Sequence, residues 1–461
     1  MGLKIFNTNF FNISKQESLR LNFNYRYFFD IQNSEVFPYK EQVKLKYILR
    51  ELPVSKKIKG PLGEEEILID LGNIERRYNI LINLENVDTI GSDKNIIEKG
   101  DIVIPKLQPR MGNIFLNLEH NRYIGSTELI EYSISSINNP YFLYYILTTE
   151  IFLSALSMLE SGKTHRRVSP IDLFKVKVPL ITRTEQDRIV ALIEPIALNI
   201  KKLFSQIEHQ RKIFDKVFSR ELGFDLAKYK KTLRITYFNT KISNINTSLT
   251  RSTVVQNKPS TSFLKSFLSS NTIFLKDILL KPINRGKQPV YTYDGVRVIK
   301  TLNIQNGKIN YNDVRFVSEQ YLKTNKDKAG VYKNDLLLTS TGMGRGKFAL
   351  YTEDEICFAD SHISIIRFDQ NKFIPCFLNY YCQSLFGTEQ LKYIEMHIKG
   401  TPEIYENQLK YFQIPNFSLK RQQTIVDEIK TYIDKQEYIK KQIEIERLKI
   451  DKIIETSVKT Y

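Results

Sequence analysis

VPLITRTEQDRIVALI at residues 178–193 and IPNFSLKRQQTIVDEI at residues 414–429 are two versions of one pattern, 236 positions apart. Each has a short apolar run closed by a proline, a polar stretch with a glutamine (Gln186, Gln422), and then the first apolar turn of a helix. Working outward, the likeness continues. Asn73-Ile74 in ILIDLGNIE answers Asn303-Ile304 in RVIKTLNIQ at an offset of 230. GDIVIPK around Asp101 answers NDLLLTS around Asp335 at 234, and Gly112 in PRMGNIFL answers Gly346 in GRGKFAL at 234. PYFLYY from Pro140 answers PCFLNYY from Pro375 at 235. The offsets climb slowly in chain order, as small loop insertions would make them, whereas chance matches scatter. The chain of 461 residues is a duplication.

Each copy has the same internal order. Asp101–Ile104 and Asp335–Leu338 read as buried strands after a turn residue. An aromatic helical stretch follows, then a loop with Gly162 or Gly400, the proline-bounded exit and a long helix. The polar stretch Asn239–Lys265 reads as a loop or insertion.

The first helix is predicted from about Glu185 to Glu221. Ile189, Ile193, Ile196, Ile200, Leu203 and Ile207, then Phe214 and Val217, alternate by four and three, with Gln210 as the polar entry. The second series is Ile425, Ile429, Tyr432, Gln436, Ile439, Ile443, Glu446, Ile450 and Ile453. Neither series contains a proline or glycine, and such heptads predict helix-on-helix packing as a coiled coil. If the two seams pack equivalently, the operation relating the copies is its own inverse. The expected fold is therefore α+β: two tandem domains and two long antiparallel coiled-coil helices about a pseudo-two-fold axis. The predicted divisions are 1–184, 185–222, 223–419 and 420–461. At 1.5 Å per residue each helix spans about 50 Å, or about fifteen base pairs of B-DNA.

Hydrophobic residues at 42% and charged residues at 26% exclude a disordered chain. Against 51 Asp+Glu stand 68 Lys+Arg, leaving +17. That excess favours a polyanionic partner without fixing the fold. Cys357, Cys376 and Cys382 form no CxxC pair and no HxxxH pair is present, which argues against a zinc site and a disulfide scaffold. MGLKIFNTNFFNISK interrupts any signal-peptide core with polar residues. The longest uncharged run, Tyr132 to Thr149, carries serines, asparagines and a proline. A soluble, cytoplasmic protein without a membrane partner is expected.

Catalytic motifs fail on inspection. Around Gly346-Lys347, Thr341 stands where a phosphate-binding loop needs its first glycine, and Phe348 follows the lysine. Asn138-Asn139-Pro140-Tyr141 has one proline where amino-methyltransferases have two. Glu428-Ile429-Lys430 could imitate a nuclease triplet, but it lies on a seam helix with no second carboxylate placed for a metal. No Ser/His/Asp arrangement is identifiable among five histidines. The chain is read as no enzyme.

The tandem arrangement resembles the specificity subunit of type I restriction–modification systems, over nearly the whole chain. The resemblance rests on VPLITRTEQDRIV and IPNFSLKRQQTIV, on GDIVIPKLQPRMGN and NDLLLTSTGMGRGK, and on RLNFNYRY near Arg20 and RITYFNT near Arg234. One departure is Arg421-Gln422, where the family usually has Glu-Gln; this bears on helix-start capping. The resemblance implies two target-recognition domains that read a bipartite sequence in double-stranded DNA, with the helices as conserved spacers. It implies two methyltransferase (modification) subunits as partners, methylating adenine with S-adenosylmethionine. It also implies restriction (translocase/nuclease) subunits using ATP and Mg, in phage defence. No cofactor or metal is expected in this chain.

Candidate DNA-binding residues are basic or amide side chains on turns at corresponding places. In copy one they are Lys106, Gln108, Arg110, Lys163, His165, Arg166 and Arg167. In copy two they are Arg285, Lys287, Arg345, Lys347 and Lys399. A phosphate role is expected of the 163–167 loop. The alternatives are a DNA methyltransferase with a duplicated recognition module, which lacks a recognisable cofactor pocket, and a coiled-coil scaffold without DNA readout, which leaves +17 unexplained.

Overall fold

The computed structural model describes residues 41–459 apart from 53–55, 64, 85–86, 163–164, 236–257, 271, 343, 395 and 399–400. RLNFNYRY, most of RITYFNT, Lys163, Lys399 and Gly400 lie outside the described residues. The chain divides into two compact units. Unit one runs up to Ile207 and takes in the chain from Ile439 onward; unit two is Glu208–Tyr438.

Both units are mixed helix and sheet, and their sheets repeat. In unit one Leu49–Glu51, Leu129–Ile134, Ile102–Pro105 and Phe115–Leu116 lie side by side in that order. In unit two the order is Asn284–Arg285, Ile363–Ile366, Leu336–Thr339, Phe348–Leu350. A second sheet places Lys94–Glu98, Arg122–Gly125 and Ile67–Ile69 together, matched by Gly330–Val331, Cys357–Ala359 and Val296–Ile299. The last pair in each trio is parallel. Strands such as Ile102–Pro105 and Leu336–Thr339 are buried throughout, as their unbroken apolar runs require.

The duplicated letters are those that fix the backbone. Asp101 accepts from Glu98 N–H and Asp335 from Tyr332 N–H, each at 2.8 Å, closing the turn before the strand. Asn73 accepts from Asp70 N–H and Asn303 from Lys300 N–H, each at 2.9 Å. Gly112 and Gly346 both hold left-handed backbone, at φ 78° and 83°.

The exits repeat too. Lys177–Pro179 pairs with Gln42–Lys44, and Gln413–Pro415 with Thr272–Phe274, both antiparallel. Gln186, buried, accepts from Asn139 N–H at 2.7 Å and donates to Ile181 C=O and Asn138 Oδ1. Gln422, buried, accepts from Ile374 N–H at 2.8 Å and donates to Lys372 and Phe417 carbonyls. In both units this glutamine ties the start of the exit helix to the start of an aromatic helix, Pro140–Leu147 or Pro375–Gln383. No single helix among the described residues is long and apolar enough to cross a membrane.

Several expectations need correction. The first exit helix is two helices, Arg183–Phe204 and Gln210–Leu222. Between them Glu208 N–H donates to Gln436 Oε1 at 2.9 Å instead of extending the ladder, and His209 caps the second helix by accepting from Arg211 N–H. Pro195, which the heptad spacing passed over, sits on the exposed side of the first helix without ending it. Pro259–Leu268 is a helix, so the polar stretch ends earlier than Lys265.

The two compact units divide after Ile207 and after Tyr438, inside the stretches 185–222 and 420–461. Ile189, Ile193 and Ile200 are buried in unit one with Ile439, Ile443 and Ile450, and Ile196, Leu203 and Ile207 pack against them. Phe214 and Val217 share the core of unit two with Ile425 and Ile429, against which Tyr432 packs. Each globular domain thus completes its core with a helical segment encoded by the other copy. In unit two, Glu208 meets Gln436, Arg220 meets Glu428 and Arg421 meets Glu221 O, an order that falls as it rises.

The long helix Leu419–Lys459 buries Gln422, Ile425, Ile429, Gln436, Ile439, Ile443, Arg447, Ile450, Ile454 and Val458. That stripe keeps the 3.6-residue period of a straight helix, not the 3.5 of a supercoiled seam. The heptad reading therefore drifts by one residue toward the C-terminus. Arg447 and Ile454 face the core where Glu446 and Ile453 were expected.

Candidate nucleic-acid interface

Strand Ile102–Pro105 delivers Lys106 to a turn, and the chain then reverses through Gln108. Gln108 is left-handed, φ 46° and ψ 50°, a conformation that costs a side-chain-bearing residue about 1 kcal/mol. Its N–H donates to Arg166 C=O at 2.9 Å. Lys106 N–H donates to Glu128 C=O at 2.8 Å, and Val168 N–H to Lys106 C=O at 3.1 Å. Leu107 and Arg167 form an antiparallel bridge. Candidates nearly sixty residues apart in sequence, Lys106–Arg110 and His165–Arg167, are therefore one hydrogen-bonded loop frame.

Two carboxylates sit among these cations. Glu128 receives Arg167 Nη2 at 2.8 Å and Nε at 3.2 Å. Those bonds hold the Glu128 carboxyl below the usual range, helped by the charges of Lys106 and His165. Arg110 pairs with Glu160 at 3.3 Å. Burial pushes Glu160 up, and the charges of Arg110 and Arg166 oppose that. His165, Arg166 and Arg167 are exposed, with Lys106, Gln108 and Arg110 half-buried behind them.

Unit two builds the same frame. Ser340 N–H donates to His362 C=O at 2.9 Å, Ile404 N–H to Ser340 C=O at 3.0 Å, and Thr341 bridges Glu403. Gly342, φ 81°, takes the left-handed place of Gln108. The side chains differ, however. Arg285 is held by Glu406 at 2.8 Å, by Glu403 and by Ile404 C=O at 3.1 Å, with Tyr405 beneath it. Burial opposes ionisation of Glu403, yet hydrogen bonds from Tyr405 and Arg285 leave its carboxyl below the usual range. Arg285 therefore braces this loop from within. Lys287 is exposed but donates to Asn325 Oδ1 at 2.7 Å. Arg345, half-buried, and Lys347, exposed, lie on the turn Gly344–Lys347, which Thr339 Oγ1 ties down from both sides. The structure brings Arg345 and Lys347 together and leaves Arg285 in the bracing role.

Sequence reading missed Glu128, Glu160, His362 and Glu403, because attention to cations passes over the acids that orient them. The offset of 234 from Glu128 to His362 was the available signal. A cavity of about 580 Å³ in unit one, walled by Tyr78, Tyr144, Tyr145, Ile200 and Arg447, contains none of the candidates.

No protein-family profile matches the chain, and no curated protein matches it. Among solved structures it is similar to a chain from a structure of the complex assembly and conformational transition of the type I restriction–modification system. Identity there is 14%, coverage 91% of this chain and 97% of that one, and the TM-score 0.39. It is similar to the HsdS subunit from Thermoanaerobacter tengcongensis at 14% identity, with 91% and 96% covered and a TM-score of 0.32. It is similar to the type I restriction–modification S subunit from M. genitalium at 15% identity, with 90% and 95% covered and a TM-score of 0.38.

Proposed function

We propose that this chain is the DNA-sequence specificity subunit of a type I restriction–modification complex and performs no chemistry itself. The observation that carries the reading is the loop frame built twice, with matched backbone hydrogen bonds and different side chains, in one chain of net charge +17. Each unit presents one frame to double-stranded DNA, and together they read a bipartite sequence. The exchange of helical segments between copies supports an antiparallel helix pair as the spacer.

Partner subunits carry the chemistry in this reading. Two modification subunits methylate adenine with S-adenosylmethionine, and restriction subunits translocate and cleave DNA with ATP and Mg, all in the cytoplasm. Exposed Leu192 and Leu198 on the first exit helix, and Ile445 and Leu448 on the long helix, offer apolar surface for such partners.

The test is methylation-sensitive long-read sequencing of a host expressing the chain with its neighbouring methyltransferase, against the same host lacking it. A bipartite adenine-methylated motif that disappears with the chain is expected. An unchanged methylome would reject the reading.

A further inference from the structure

In unit one Glu128 grips Arg167 along one edge of the guanidinium, through Nε and Nη2. Among the described residues Nη1 has no hydrogen-bond partner, and the arginine side chain remains 46% exposed. A cation meant for phosphate gains nothing from a carboxylate alongside, which repels the phosphate and cancels the charge. Base recognition has the opposite need. Guanine offers two acceptors, O6 and N7, in the major groove, and reading them takes a guanidinium held at a fixed angle. A carboxylate on the near edge supplies that angle while the far edge, Nη1 and Nη2, stays open.

The second copy is an internal comparison. At the position matching Arg167 it has Glu403, and at the position matching Glu128 it has His362, on the same backbone frame. Glu403 is turned onto Arg285 and Tyr405, and His362 is bonded to Thr341. Neither can address two acceptors as Arg167 can. The fork is thus not a requirement of the frame.

We propose that Arg167 is a specificity-determining residue that reads a guanine in the half-site of unit one, and that Glu128 is its positioning residue. Unit two makes no equivalent contact at this register, so the two half-sites differ there. This rests on the DNA-reading function proposed above.

The test is selection of duplexes from a randomised library by the full-length chain, with sequencing of the bound fraction for wild type, Arg167→Ala, Arg167→Lys and Glu128→Gln. Wild type is expected to enrich a motif with a fixed guanine in one half. Arg167→Ala should lose that guanine preference by roughly ten- to a hundredfold, with the other half-site unchanged. Arg167→Lys keeps the charge and should lose most of the preference as well. Glu128→Gln should blur it while affinity for random duplex holds or rises. Uniform weakening across all sequences, with the guanine retained, would mean a phosphate contact and overturn the proposal. Enrichment of no motif by wild type would instead remove the DNA-reading function on which it rests.

Discussion

Arg211 and Arg447, 236 residues apart, each donate to a threonine, in different units. Arg211 Nη2 donates to Thr388 Oγ1 at 2.8 Å in unit two, and Arg447 Nη2 donates to Thr148 C=O at 3.0 Å and Oγ1 at 3.2 Å in unit one. Each arginine comes from one copy's exit helix and each threonine from the other copy's globular domain. The pair differs in depth. Arg447 is 1% exposed and also holds Asp451 and Arg77 C=O, whereas the Arg211 side chain is 42% exposed. Arg447→Ala should destabilise unit one by about 2 kcal/mol, because it empties a buried site and strips the Arg77 carbonyl of its donor, while Arg77 still holds Asp451 and the Thr148 carbonyl. Arg211→Ala should cost under about 1 kcal/mol, since solvent screens its pairs. Hydrogen–deuterium exchange across residues 140–150 and 380–390 measures both; equal effects would refute the ranking.

Gln108 holds a left-handed backbone that Gly342 holds without strain in the other copy. Gln108→Gly should raise stability by up to about 1 kcal/mol. If the amide serves DNA, the same substitution should weaken binding to the cognate duplex. Melting temperature and duplex affinity, measured on one preparation, should therefore move in opposite directions.

Arg166 is exposed, and its carbonyl anchors Gln108. Arg166→Ala should weaken cognate and random duplexes alike and reduce the slope of log affinity against log salt by about one. A sequence-selective loss without a change of slope would assign it to a base instead.

Glu131 lies buried on the strand beside Ile102–Pro105, with Oε1 unbonded, and burial pushes its carboxyl up to about 7. A carboxyl raised in the folded state opposes folding once ionised. Its penalty is absent below the unfolded value near 4.5 and grows as pH rises through the interval to about 7. The penalty above that interval is roughly 3 kcal/mol. Glu131→Gln should stabilise unit one at pH 8, leave it unchanged at pH 4, and flatten denaturation midpoints between.

Much of this protein was legible as text because the repeated residues are those whose side chains fix the backbone. Asn73 and Asn303, Asp101 and Asp335, and Gln186 and Gln422 bond to main-chain groups within a few residues or at the next element. Such roles tolerate little chemical change, so both copies kept the letter. The strands, the aromatic helices, the exits and the apolar seam followed from these and from periodicity.

Tertiary structure alone decided the rest. The break at Ser205–His209 depends on Gln436, more than two hundred residues away, and carries no glycine or proline to announce it. The seam's last turns put Arg447 inward because a straight helix repeats every 3.6 residues, and a 3.5-residue count drifts off it over ten turns. The fork of Glu128 on Arg167, and the bracing of Arg285 by Glu403 and Glu406, join residues whose separation encodes no proximity. Charge was readable from composition; which cations are bound to their own fold and which face outward depends on where distant carboxylates arrive.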